Sequence, residues 1–220
     1  CITQVDYALG RIFGCLREND LFKNTWVIFT ADHGEMLGDH HMSQKNLFFE
    51  GSAHVPLLIM PPQGRSLPQN ISVEAPADLV DLYPTILAMA GLSSPVSVSG
   101  KNLLEPVPMD RMFFGNSLNK NFCVMEEKVK LVYSAVGDHV LLFDLTTDPM
   151  EQHNLAEDPA WQERKAKLWK LLLEHTAQYT PEALDEKGQF LTYEAPHFPG
   201  DVPGRWFGFH YHDYSVDTFH

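Results

Sequence analysis

The sequence predicts a layered α/β fold, a sheet flanked by helices, followed by a small α+β subdomain with an antiparallel sheet. Three observations lead there. Two short apolar runs rich in β-branched and aromatic residues, Trp26–Thr30 and Val55–Met60, alternate with amphipathic helical patterns over roughly the first 90 residues. After Pro108 the texture changes to four short strand-like runs separated by turn residues. A charged amphipathic segment then follows, long enough to lie across a small sheet.

Taken in order, Ile2, Val5, Leu9, Ile12, Phe13 and Leu16 fall at three- and four-residue steps, the stripe of a helix packed by one face. Asn19, Asp20 and Lys23-Asn24 supply turn chemistry before the strand Trp26–Thr30. A continuous apolar run of this kind suits a strand covered on both faces, as in a parallel sheet. The second run, Val55–Met60, is stopped by Pro61-Pro62. Ala77 to Ala90 is helical in period, with Gly91 at the C-cap position, and Pro84 inside the pattern moves the helix start close to itself. Met112–Phe114, Phe122–Met125, Val129–Ser134 and Val140–Asp144 read as an antiparallel meander. Trp161 to Tyr179 reads as a helix packing through Trp161, Leu168, Leu171 and Leu172. The expected division is an α/β core over 1–107, a sheet-plus-helix subdomain over 108–180, and an irregular aromatic-rich tail over 181–220.

Composition excludes several function classes. With 16 basic against 29 acidic residues the net charge is −13, so no nucleic acid partner is expected, because affinity for a phosphate backbone comes chiefly from Lys and Arg. An acidic chain that binds an anion needs a bound cation and a few local basic groups. No run approaches the roughly 18 apolar residues of a membrane span. Cys1, Cys15 and Cys123 are widely spaced and suggest neither a disulfide framework nor a zinc ribbon. The chain opens partway into a helical pattern with no initiator Met, which leads to the expectation of a fragment of a larger protein.

The sharpest chemical signal is Phe29-Thr-Ala-Asp32-His33-Gly34-Glu35, an Asp-His pair directly after an apolar strand. Ligand sites gather at the carboxyl ends of strands in open α/β sheets. A carboxylate suits hard divalent cations, and an imidazole widens the choice toward zinc or manganese. The same tripeptide alone also reads as a plain turn. The next segment, from Met36 to His54, is a polar loop of about 20 residues, longer than a mere connector needs. It carries Lys45, which is either a solvated loop lysine or a cation for an anionic ligand.

Thr30-Ala-Asp-His-Gly-Glu-Met-Leu-Gly38, then Lys45, then Phe48-Phe-Glu-Gly-Ser-Ala-His-Val-Pro-Leu57 resembles the second signature region of sulfatases in the alkaline phosphatase superfamily. The pattern is most similar to the choline-sulfatase and phosphonate-monoester-hydrolase branch. Asp81-Leu-Tyr-Pro-Thr-Ile-Leu and Leu142-Phe-Asp-Leu with Asp148-Pro-Met-Glu151-Gln-His-Asn154 are similar to the C-terminal halves of the same proteins. The resemblance implies part of an alkaline-phosphatase-like sandwich. It makes Asp32 and His33 metal ligands, and Lys45 the catalytic ammonium that contacts sulfate or phosphate oxygens. One divalent cation is implied, calcium ahead of manganese or zinc.

The family's nucleophile is a formylglycine matured from a Cys-x-Pro-Ser-Arg-like segment. None of the three cysteines stands in such a segment. The chain is therefore expected to be inactive alone. The implied whole is a sulfatase acting on a small sulfate ester or sulfated carbohydrate. A phosphodiester or phosphonate monoester hydrolase is the rival, and a non-catalytic binding or assembly domain is the reading from a different class. An uncovered sheet edge and apolar face would favour self-association, so a homo-oligomer is a further expectation.

The remaining polar residues have two readings each. Glu35 and Asp39 are solvated acids or acceptors that orient a metal-bound His. His40 and His41 are substrate-binding candidates able to move a proton near neutral pH, or ordinary loop residues. His54 is read as packing the loop, and Arg65 as loop charge. In the tail, His210, His212 and Asp213 have metal-ligand spacing, but among so many aromatics they read first as an anchoring segment.

Overall fold

The computed structural model describes residues 2–42, 44–45, 47–65 and 71–194. The side chain of His41, and the tail residues His210, His212 and Asp213, lie outside the described residues. Helix α1 spans Ile2–Glu18, strand β1 Val27–Thr30, the one-turn helix α2 Glu50–Ala53, strand β2 Leu57–Met60 and helix α3 Leu82–Met89. Four further strands follow, β3 Phe113–Ser117, β4 Asn121–Glu126, β5 Val129–Ser134 and β6 His139–Asp144, then helix α4 Gln162–Tyr179. No described helix is long and apolar enough to cross a membrane.

The chain divides into two compact units. The first comprises residues 1–31, 56–75 and 79–105, and the second 32–55, 76–78 and 106–220.

In the first unit β1 and β2 pair antiparallel, with Val27 opposite Met60 and Thr30 opposite Leu57. This corrects the parallel arrangement that an uninterrupted apolar run suggests. The chain returns from the end at which it left, and an antiparallel neighbour needs no crossover helix. β1 is half-buried throughout, whereas β2 alternates half-buried and exposed residues. A single 3-10 turn at Leu79–Asp81 leads into α3. The helix thus starts later than Ala77, and Pro84 falls in its first turn, where a missing N–H costs nothing. Buried Asp81 accepts the Lys101 N–H at 2.7 Å, and Thr85 Oγ1 accepts the Leu103 N–H at 2.9 Å. These bonds lay segment 100–103 along the helix start. Arg65 is more than loop charge: its guanidinium lies 5.3 Å from the centre of the Trp26 ring.

The second unit is built on the meander β3-β4-β5-β6, antiparallel throughout. Its strands alternate, so the sheet has two apolar faces. Phe122, Val124, Leu131, Tyr133 and Leu142 face α4 and meet Leu168 and Leu172, with Trp161 and Leu171 packed at the margin. Phe190 closes this side, with ring centres 4.6 Å from both Phe122 and Tyr133. Each fully buried leucine or aromatic here contributes on the order of 2 kcal/mol of transfer free energy.

The opposite face carries Cys123, Val132, Leu141 and Phe143. It is covered by Met36, Met42, Leu47 and Phe49. Those four residues belong to the long loop between β1 and β2. Gly115 of β3 leaves room for the Phe48 ring, since a Cβ there would be 2.4 Å from ring carbon Cε1. The loop expected to carry chemistry is thus also half of a hydrophobic core.

The Asp148–Asn154 segment forms the turn that its composition implies. Asp148 Oδ2 accepts the His153 N–H at 2.8 Å, and Asn154 Oδ1 accepts from Leu142 at 2.9 Å and Ala156 at 3.0 Å. Asn154 thereby ties the turn to the edge strand β6.

Candidate functional site

Directly beyond β1 the chain turns at Asp32-His33-Gly34. Asp32 Oδ1 accepts the backbone N–H of His33 at 3.0 Å, leaving its other oxygen 3.4 Å from His33 Nε2. His33 Nδ1 is 2.8 Å from the Gly34 carbonyl. A carbonyl only accepts, so in neutral His33 the proton resides on Nδ1 and the Nε2 lone pair is left beside the Asp32 oxygen. Such anchoring of the second ring nitrogen is the usual arrangement of a metal-bound His. One oxygen and one nitrogen at this separation fit two adjacent ligands of a single cation with bonds of about 2.0–2.5 Å. Protonated, the same His33 forms an ion pair with Asp32 instead. Among the described residues no three His, Cys, Asp or Glu side chains gather into one metal-sized group. The Asp32 side chain is 86% exposed.

Gly34 is tied to the far end of the loop. Its N–H donates to the Ser52 carbonyl at 2.7 Å, and a Cβ on it would stand 2.1 Å from the Gly51 carbonyl oxygen. Only a glycine admits this approach. Buried Ser52 also donates from Oγ to the Lys45 carbonyl at 2.7 Å. One residue therefore holds both the Asp32–His33 turn and the backbone of Lys45, whose side chain is exposed. The Met36 N–H donates to the Gln44 carbonyl at 2.9 Å, and the Gln44 N–H donates to the Glu35 carboxylate. Glu35 is thus engaged in shaping the loop, while Asp39 is exposed.

His40 adopts φ 52° and stacks on Phe49, ring centres 4.2 Å apart at 15°. Phe49 in turn meets Phe143 at 5.8 Å, so the imidazole is carried on the loop's own core. His54, expected to pack the loop, is largely exposed and pairs with Glu50 one helical turn earlier, at 2.8 Å. His54 stands at the C-cap of the one-turn helix, where its imidazole faces solvent beside the Glu50 carboxylate.

A buried ion cluster that the sequence does not announce lies beneath the loop. Lys130, the second residue of β5, donates to the Phe48 carbonyl at 2.9 Å, to Glu151 Oε1 at 2.9 Å and to the Glu50 carboxylate. Glu151 Oε2 accepts the Glu50 N–H at 2.7 Å. Lys130 and Glu151 are each 3% exposed. Burial by itself would lower the Lys130 pKa, but the Glu151 charge, then Cys123 and Glu50, hold it above its ordinary 10.5. Burial pushes the neighbouring Cys123 thiol up to about 12. The available signal was a lysine inside Val129-Lys-Leu-Val-Tyr133, a buried strand where a charge requires a partner.

Comparisons with known proteins agree with this architecture. A family model for sulfatases matches residues 1–92. Arylsulfatase K of Xenopus laevis is 34% identical over 174 residues, covering 70% of this chain and 32% of that protein. A protein of Escherichia coli called uncharacterized sulfatase YidJ is 32% identical over 187 residues, covering 80% of this chain and 36% of its own length. The crystal structure of a phosphonate monoester hydrolase of Agrobacterium radiobacter superposes with a TM-score of 0.64 at 32% identity, over 85% of this chain and 43% of that one. The fold is that of the alkaline phosphatase superfamily. Within it, the chain belongs to the sulfatase family. It spans about a third of the length of the curated relatives it matches.

Proposed function

We propose that this chain supplies one flank of the active site of a sulfuric ester hydrolase, with Asp32 and His33 as ligands of a divalent cation and Lys45 as the ammonium facing the ester. The observation that carries the reading is Ser52, which links the Gly34 N–H and the Lys45 carbonyl. The ligands of a cation and an ammonium must be fixed relative to one another if the cation and the ammonium are to contact one tetrahedral anion. When bound, the cation, calcium ahead of manganese or zinc, supplies charge for the developing negative oxygens. The residues of this chain do the rest: Asp32 lends a carboxylate oxygen, His33 is held in the Nδ1-protonated form by the Gly34 carbonyl, and Lys45 stabilises the transferred group. His40 and His41 stand in the same loop as candidate substrate contacts.

The substrate class is a small sulfate ester or a sulfated carbohydrate. The nucleophile, a formylglycine by resemblance, is not encoded in these 220 residues, so the chain by itself is inactive. Phosphonate or phosphodiester hydrolysis is the second reading, favoured by the 32% identity to a phosphonate monoester hydrolase. Turnover of an aryl sulfate and of an aryl phosphonate by the full-length protein separates the two. Activity on the sulfate that falls by about 100-fold or more in Lys45→Met supports the reading. Turnover of the phosphonate alone overturns the choice of ester, and an unaffected Lys45→Met overturns the role of Lys45.

A further inference from the structure

The buried Lys130 cluster is unused by the chemistry above and unexplained by stability. Lys130 lies opposite Phe143 in the ladder, on the face that also carries Cys123, Val132 and Leu141. An apolar residue of similar size would suit that face, and burying an ion pair is seldom better than neutral. Among the described residues, the bonds that leave the Lys130–Glu151 pair toward the loop end on residues 48–50. Lys130 reaches the Phe48 carbonyl and the Glu50 carboxylate, and Glu151 takes the Glu50 N–H. Two residues further on is Ser52. A four-residue helix has too few internal bonds to define its own position, because nucleation costs more than one turn returns. Something outside α2 must place Ser52.

We propose that Lys130, with Glu151, is a positioning residue of the candidate site: a clamp that fixes residues 48–50 and, through Ser52, sets the Asp32–His33 turn against Lys45. The clamp rests on the reading of Asp32, His33 and Lys45 as a site. It acts at a distance, through Phe48 and Glu50 to Ser52, and then to Gly34 and Lys45. It explains why Glu151 is kept at φ 54°, a conformation unusual for a side-chain-bearing residue, so that both its oxygens are used.

Amide hydrogen exchange on the 220-residue chain tests it, together with calorimetric titration of Ca2+ and Mn2+. In the double variant Lys130→Met with Glu151→Leu, which leaves no buried charge unpaired, the sheet amides of Leu131, Val132 and Leu141 are expected to keep their protection. Those of Gly34 and Met36 should exchange at least about tenfold faster, as a locally loosened segment does. Affinity for the cation should fall by about 10-fold or more. A purely structural lysine would move sheet and loop amides together, and that outcome, or unchanged Gly34 and Met36, overturns the proposal. Glu50→Ala keeps the Lys130–Glu151 pair and so avoids an unpaired buried carboxylate; it should loosen Gly34 and Met36 by a smaller factor, and no loosening overturns the proposal. If the unmutated chain binds neither ion while the exchange pattern is as stated, the clamp stands and the cation reading falls.

Discussion

Glu151 accepts the backbone N–H of Glu50 at 2.7 Å, joining positions 101 residues apart in the sequence. The bond docks the site loop on the face of the meander opposite α4. It makes the behaviour of the candidate site depend on residues in β5 and the 148–154 turn.

Removing one member of the buried pair should be costly and removing both should not. Lys130→Met leaves Glu151 charged and unpaired in a buried place, and a loss of about 3–5 kcal/mol is expected in urea unfolding. Lys130→Met combined with Glu151→Leu should recover most of that loss. A double variant as unstable as the single one would show that the pair contributes through something other than paired charge.

Gly34→Ala should lower stability by about 1–3 kcal/mol, because the new methyl meets the Gly51 carbonyl oxygen and the backbone has to give way. It should also abolish calorimetric Ca2+ or Mn2+ binding by displacing His33. Retained binding with unchanged stability would mean that the turn and the loop are not in contact in solution.

Alkaline pH should destabilise the second unit in two stages. The Cys123 thiol is raised from 9.0 to about 12 by burial, and Lys130 is held above 10.5. A raised pKa means that the folded state keeps a proton which the unfolded state releases. Stability is therefore full below the unfolded value and declines as pH rises toward the folded one. Decline should begin near pH 9 from Cys123 and steepen above pH 10.5 from Lys130. In Cys123→Ala the first stage should vanish, which urea midpoints between pH 8 and 11 would reveal.

In the first unit, Asp81→Ala should cost about 1.5–3 kcal/mol, since it removes the buried charged acceptor of the Lys101 N–H. The loss should appear in thermal unfolding, with exchange at Lys101 and Leu103 faster than at residues of the meander.

Asp32→Asn and Lys45→Met should leave the urea midpoint unchanged, because both side chains are exposed. Cation binding should be lost in the first and kept in the second. A marked loss of stability in either would assign it a structural role.

Much of this molecule was legible along the chain. The short strand-like runs Phe122 to Met125 and Val129 to Ser134, set between turn residues, gave a meander, because strand propensity and turn chemistry are local properties. The stripe from Trp161 to Tyr179 gave a helix, observed as Gln162–Tyr179, for the same reason. The Asp32-His33-Gly34 motif was visible because a strand exit and a glycine turn are written in adjacent residues. The sense of β1–β2 pairing was not, since an apolar run has no direction. Nor was the role of Lys130, Glu151 or Ser52 visible from the chain alone.

What the sequence determined by itself is therefore the main helices and strands, α2 excepted, and the Asp-His pair at the end of the first strand. Only the tertiary structure decided that the loop behind that pair packs by Met36, Met42, Leu47 and Phe49 on the second face of the meander, with a buried lysine beneath it. The physical reason is that local propensity acts over a few residues. The loop's place depends on burial and charge pairing between segments about a hundred residues apart, to which no sequence window is sensitive.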